Sequence, residues 1–158
     1  MNRLLLLSLG SNLENRLENL QFAQKRLLEE FGTLHAVSPI LETAAFGVEQ
    51  HPPYLNQVLG FHCDLSGREV LNITRKIEKE RGRTDKGLLL PRTLDIDILA
   101  LGEMQVNDPD LSIPHPALQD RLFVLEPLFA IYPDWIHPVF GLSTSSLLEK
   151  LRLSGNNS

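Results

Sequence analysis

The chain has 158 residues, 42% of them apolar, and a net charge of −5: enough for one domain with its own core and too few for two ordinary ones. The acidic balance excludes bulk nucleic-acid binding. No apolar run reaches the length of a membrane span, and Leu4–Leu7 is strand-sized, without the long apolar region and cleavage site of a signal peptide. The lone cysteine, Cys63, excludes an internal disulfide and a cysteine-based zinc cluster. A single-domain cytoplasmic protein over residues 1–158 is expected, acting as a monomer on small molecules.

Arg3–Leu9 reads as a buried strand ended by Gly10-Ser11-Asn12, and Ser11 with Glu14 has the spacing of a capping box. The following helix places Leu13, Leu17, Leu20, Leu27, Leu28 and Phe31 at helical spacing and stops at Gly32. Residues 33–43 predict a second strand, 44–53 a loop and Tyr54–Leu65 a third strand. Ser66 with Glu69 is another capping box; it opens a helix through Val70, Ile73, Ile77 and Arg81, which Gly82 ends. Residues 83–91 form a second loop. A strand from about Thr93 to Leu101 follows, then a turn-rich stretch with a small hairpin over Gly102–Leu111. Pro116 stands at the first turn of a helix that Pro127 bends or ends. Residues 143–151 make the last helix, and 155–158 are expected to fray. The order is β-α-β-β-α-β followed by helices. It predicts an α+β fold: a ferredoxin-like antiparallel sheet with helices packed on it.

The chemistry concentrates in Pro91-Arg92-Thr93-Leu94-Asp95-Ile96-Asp97-Ile98. Side chains alternate along a strand, so Leu94, Ile96 and Ile98 share one face and Asp95 and Asp97 the other, with the carboxylates about 6–7 Å apart. A bare Asp-x-Asp is more often the polar outer face of a surface strand. Here an adjoining arginine and a basic segment favour a divalent cation. Mg²⁺ takes one or two carboxylates and completes its shell with phosphate oxygens and water. Residues 75–92 carry seven basic and three acidic groups, a local +4 against −9 for the remainder. Arg83, Arg92 and Arg121 are candidate phosphate clamps, because a guanidinium matches phosphate oxygens in two-pronged fashion. Arg83 and Arg92 flank the second loop, which fits a lid. His115, between two prolines, is either a structural turn residue or a phosphate hydrogen-bond donor.

Tyr54, Asn56 and Phe123 fit a slot for a flat heterocycle: aromatic faces stack, and an amide offers a paired donor and acceptor. Glu78 lies on the inner stripe of its helix. Gly10-Ser11-Asn12 reads as a strand exit and cap. Neither a P-loop nor a dinucleotide-binding glycine motif is present. His35, His51, His62 and His137 lack metal-ligand spacing, and Cys63 reads as inert core. On the residues alone, a transferase, a metal-dependent phosphohydrolase and a binding module all stand.

With Leu9-Gly10-Ser11-Asn12-Leu13, Tyr54-Leu55-Asn56, Gly82-Arg83, the Pro91–Ile98 motif, Pro114-His115, Arg121 and Phe123, the chain resembles the 6-hydroxymethyl-7,8-dihydropterin pyrophosphokinases of folate biosynthesis. The resemblance implies an ATP-dependent enzyme that transfers pyrophosphate to the pterin hydroxymethyl group and releases AMP. It implies two Mg²⁺ ions on Asp95 and Asp97, bound with ATP. Arg83, Arg92, His115 and Arg121 would contact the phosphates, with Glu78, Ile98 and Ser112 beside the nucleotide. Tyr54 and Phe123 would sandwich the pterin, and Asn56 with the backbone around Thr43 and Phe46 would read its edge. Arg83, Arg92, Asp95 and Asp97 are the implied catalytic set. Segments 44–53 and 83–91 match the mobile catalytic loops. Asp85 stands where relatives often carry a second loop arginine, and Leu88–Leu90 covers the region of a loop tryptophan. Both departures bear on loop closure and turnover rate.

Overall fold

A computed structural model describes residues 2–12, 15–43, 53–82 and 94–155. In chain order they form β1 (Arg3–Ser11), α1 (Arg16–Phe31), β2 (Leu34–Val37), β3 (Leu41–Thr43), β4 (Tyr54–Cys63), α2 (Gly67–Glu80), β5 (Asp95–Leu101), β6 (Val106–Asp108), β7 (Leu111–Ile113), a short 3-10 helix (Leu118–Asp120), α3 (Leu122–Ile131) and α4 (Thr144–Leu153). The loops expected at 44–53 and 83–91, apart from Pro53, lie outside the described residues, as do Glu14, Phe46, Arg83, Arg92 and the last three residues.

The main sheet has the order β2-β4-β1-β5, with β3 also on β4, and every pairing is antiparallel. One face carries Leu5, Leu7 and Leu9 of β1, Leu59 and Phe61 of β4, and Ile96 and Ile98 of β5. It packs on Leu20, Ala23 and Leu27 of α1 and Val70 and Ile77 of α2. The other face carries Leu6, Val58, Leu99 and Ala100 under Val124, Leu125 and Leu128 of α3 and Leu147, Leu148 and Leu151 of α4. A helix layer therefore covers each side of the sheet. No helix among the described residues is long and apolar enough to cross a membrane.

A register shift decides where the second face is open. Leu7 pairs with Ile98 but Leu6 pairs with Ala100, leaving Leu99 as an extra residue in β5. Before the shift, the face under α3 and α4 carries Asp95 and Asp97. After it, Leu99 and Ala100 turn onto that face and join its apolar cluster.

Several elements differ from the sequence expectation. β1 runs two residues further, through Gly10 and Ser11, which pair with Asn56 and Leu55. Ser11 is no cap: Asn19 Nδ2 donates to its Oγ at 2.9 Å, and the helix N-cap is Asn15 at φ 62 with no side-chain capping bond. The expected second strand is split into β2 and β3. Between them the Ser38 amide donates to the Val58 carbonyl and the Val58 amide donates to Ser38 Oγ, both at 2.9 Å, and Pro39 has no N–H to continue a ladder. The helix expected from Pro116 is instead the 3-10 turn and then α3, separated by Arg121 in an extended conformation. Pro127 does not end α3; it is buried inside it. The capping box on α2 and the stop at Gly32 form as expected, and the small hairpin forms further along than expected, its second strand running to Ile113.

Candidate active site

The open part of the second face brings together residues from four strands. Gly10 of β1 pairs with Asn56 of β4 on one side and Asp95 of β5 on the other. Ser8 likewise stands between Val58 and Asp97. Directly opposed residues in an antiparallel pair share a face, so Asn56, Gly10 and Asp95 make one row across the sheet. Two interstrand steps put its ends about 10 Å apart. Thr43 pairs with Tyr54 at the same end, and Asn56 Nδ2 donates to Thr43 Oγ1 at 2.9 Å. That bond orients the amide and leaves Asn56 Oδ1 on the side of Gly10: an added Cβ there would lie 3.6 Å from Oδ1 and 3.9 Å from Tyr54 Cδ1. The absent side chain leaves a floor between the amide and the carboxylates. Sequence reading missed this role for Gly10, because only the pairing of three distant segments reveals it.

Further site candidates come from the segment between His115 and the first turn of α3. The Arg121 guanidinium carbon lies 5.6 Å from the centre of the Phe123 ring. The His115 amide donates to the Leu99 carbonyl at 2.9 Å, tying this segment to the outer edge of β5. His115 Nδ1 accepts from the Ala117 amide at 3.1 Å, so the neutral ring carries its proton on Nε2. Burial pushes the His115 pKa down; the nearby Asp97 carboxylate opposes this and the Arg121 guanidinium adds to it. Those influences place His115, Asp97 and Arg121 in one electrostatic neighbourhood. Ser112, between the core-facing Leu111 and Ile113, lines with His115, Gln119, His137 and Phe140 a cleft of about 310 Å³.

Two expected nucleotide residues sit differently from the rest. Ile98 belongs to the first core, on the face away from the aspartates. Glu78 is buried at 4% exposure, and its Oε2 accepts from the Ile96 amide at 2.8 Å. Parts of the basic segment are structural: Arg81 donates to Asn19 Oδ1 at 2.8 Å and stacks on Phe22, and Arg75 pairs with Asp110 at 3.7 Å. Past the end of β1, Asn12 is fully buried, and its side-chain amide finds no hydrogen-bond partner among the described residues.

The donor set fits a hard divalent cation that brings its own oxygen ligands. Asp95 and Asp97 are half-buried on one face, and no group of three or more His, Cys, Asp or Glu among the described residues could hold a metal. A site with two carboxylates and no closed protein cage suits Mg²⁺ arriving with phosphates.

A family model described as 7,8-dihydro-6-hydroxymethylpterin-pyrophosphokinase (HPPK) matches residues 6–133. The 2-amino-4-hydroxy-6-hydroxymethyldihydropteridine pyrophosphokinase of Porphyromonas gingivalis is 40% identical over 136 residues, covering 84% of this chain and 92% of its own. The Aquifex aeolicus protein of the same name is 37% identical over 134 residues, covering 85% and 83%. Among solved structures, Plasmodium falciparum HPPK-DHPS wild type with pteroate superposes at a TM-score of 0.75 and 14% identity. That match covers 95% of this chain and 42% of the other, so the chain spans less than half of that structure and shares its fold. These matches make the protein a pyrophosphokinase, a class of transferase. It belongs to the 7,8-dihydro-6-hydroxymethylpterin-pyrophosphokinase family.

Proposed function

We propose that this chain transfers pyrophosphate from ATP to the hydroxymethyl group of 6-hydroxymethyl-7,8-dihydropterin, releasing AMP, as a step of folate biosynthesis. The observation that carries the reading is the Asn56–Gly10–Asp95 row. It sets an amide that reads a heterocycle edge about 10 Å from a carboxylate pair, with a bare floor between. A bicyclic pterin laid on Gly10 would have its ring edge at Asn56 and Thr43 and its hydroxymethyl arm towards Asp95 and Asp97. Tyr54 and Phe123 would hold its two faces, and Phe46 would complete the edge.

Two Mg²⁺ ions held by Asp95 and Asp97 would neutralise phosphate charge and orient the ATP chain. Arg121 and His115 stand near Asp97 to meet phosphate oxygens, and Arg83 and Arg92, which lie outside the described residues, would add two further guanidinium groups. Ile98, through its backbone, and Ser112 fall to the nucleotide side. The hydroxymethyl oxygen attacks the β-phosphorus. The bond from that phosphorus to the oxygen shared with the α-phosphorus breaks, AMP carries that oxygen away, and the hydroxyl proton passes to an aspartate carboxylate. Positioning and charge neutralisation do most of the work in such transfers. We assign the order β2-β4-β1-β5 to the ferredoxin-like arrangement, since each split β-α-β unit has one antiparallel strand inserted. We also read the chain as a cytoplasmic monomer.

The test is AMP production from ATP and Mg²⁺ with and without hydroxymethyl-dihydropterin. AMP formed only with the pterin is expected. AMP without it would indicate a hydrolase, and no AMP a binding module. Asp97→Ala is expected to lose nearly all turnover while keeping the wild-type melting temperature; a folded variant with near-normal turnover would remove the carboxylate-metal scheme.

A further inference from the structure

β5 is the last strand of the sheet, so one of its edges faces no neighbouring strand among the described residues. A buried N–H on such an edge needs a partner from elsewhere. Along β5 the outer edge is held at two described points. His115 supplies its amide to the Leu99 carbonyl, and Glu78 accepts from the Ile96 amide at 2.8 Å. The second contact is the unusual one. Ile96 stands between Asp95 and Asp97, and its amide belongs to the peptide that joins Asp95 to Ile96. Asp95 is also the first residue of the strand, where a ladder held from one side frays.

Glu78 is itself firmly placed. It follows Ile77, which is fully buried in the first core. The last turn of α2 is tied to α1 by Arg26 Nε, which donates to Glu80 Oε1 at 2.6 Å, and by Arg81 on Asn19. A helix anchored in this way holds an acceptor in a constant position against the strand edge.

We propose that Glu78 is a positioning residue: it fixes the Asp95–Ile96 peptide and thereby sets the direction and spacing of the Asp95 and Asp97 carboxylates toward the divalent cation. This rests on the pyrophosphokinase reading above and replaces a direct nucleotide contact by Glu78. The required property is an acceptor at the right reach, not a charge near the ligand. Two conservative variants separate these. Glu78→Gln keeps the reach and an acceptor oxygen but loses the charge. Glu78→Asp keeps the charge but withdraws the acceptor by one methylene.

The first measurement is backbone amide hydrogen exchange at Ile96 by NMR in the metal-free full chain. The second is Mn²⁺ affinity by electron paramagnetic resonance with a non-hydrolysable ATP analogue. The third is the Mg²⁺ dependence of AMP formation. Glu78→Asp is expected to lose protection at Ile96 and to weaken Mn²⁺ binding by about tenfold or more, as outer-shell substitutions at metal sites do. Glu78→Gln is expected to stay close to wild type in all three. The reverse pattern, with Gln impaired and Asp spared, would overturn the proposal in favour of a direct charge contact. Wild-type behaviour of both variants, or Ile96 protection unchanged in Glu78→Asp, would overturn it as well. Absence of AMP formation by the wild type would instead count against the pyrophosphokinase reading, and the amide-exchange result does not depend on it.

Discussion

Gly10 shows how little a residue needs to contribute in order to matter. Its backbone is paired on both sides, and no described residue but Asn15 and certain other glycines has a positive φ, so the position does not require glycine for conformation. Space is the reason. A methyl group there would meet Asn56 Oδ1 at 3.6 Å and Tyr54 Cδ1 at 3.9 Å, ordinary contact distances that the fold tolerates. The same methyl would stand where a flat ring must lie. Gly10→Ala is therefore expected to melt at or slightly above the wild-type temperature, since alanine narrows the unfolded ensemble. Its affinity for 6-hydroxymethylpterin is expected to fall by about tenfold, in line with overpacking costs of about 1–3 kcal/mol. A fluorescence titration of the pterin checks it; unchanged affinity would take Gly10 out of the binding floor. The shared face of Asp95 and Asp97 was legible from alternation within one strand, while Tyr54 and Asn56 stood out only by the chemistry of their side chains. Gly10 was not legible, because its place depends on β4 and β5 arriving on either side.

At the scale of elements, the N-terminus of α2 was legible and its consequence can be measured. Ser66 Oγ accepts from the Glu69 amide and the Ser66 amide donates to Glu69 Oε1, both at 3.1 Å. Together they satisfy two donors at the helix start. Ser66→Ala is expected to cost about 1 kcal/mol in urea denaturation. Glu78 sits at the far end of the helix, on turns anchored by the core, so pyrophosphoryl transfer at a temperature well below melting is expected to stay near wild type. A large loss of turnover would mean that the cap orders the site end too. The region after β7 shows why other boundaries were not legible. Pro116 carries the usual signal for a first helical turn, yet the Ala117 amide is taken by His115 Nδ1 and Leu118 is drawn fully into the second core. The chain makes one 3-10 turn, extends at Arg121, and only then forms α3. Pro127 is tolerated because α3 buries Val124, Leu125, Pro127 and Leu128 together, so tertiary packing outweighs one missing backbone bond. A side chain competing for a backbone donor, and burial by a helix further along the chain, leave no local mark. The Ser11-to-Glu14 pattern misled for the same reason: Ser11 was claimed by strand pairing with Leu55.

The two-layer covering of the sheet makes stability depend on a buried histidine outside its strands. His137 lies in the segment that leads into α4, the helix that closes the second core with α3. Its amide donates to the Leu142 carbonyl at 2.8 Å, and its Nδ1 accepts from the Val139 and Phe140 amides at 3.1 and 3.2 Å. Its ring stacks on Phe140 at 4.4 Å and meets Trp135 edge-on at 5.7 Å. Nδ1 is thus an acceptor, Nε2 carries the proton, and Nε2 has no hydrogen-bond partner among the described residues. A second proton would remove the acceptor and bury a charge, and burial accordingly pushes the His137 pKa below its ordinary value of 6.5. The unfolded chain then takes up the proton at higher pH than the folded one. Above the unfolded value both states are neutral and stability is full; as pH falls through it, stability declines until the folded pKa is also passed. His115, whose pKa is lowered as well, contributes with the same sign. The melting temperature is expected to drop between about pH 7.5 and about pH 5.5, the range over which histidines charge. His137→Asn sets an amide oxygen at the reach of Nδ1, for the same two backbone donors, and cannot titrate. Its melting temperature is expected to start lower, because the aromatic packing is lost, but to fall less over that range. The difference between the two slopes isolates His137 from His115, and equal slopes in calorimetry would show that the buried ring does not control the acid limit of the fold.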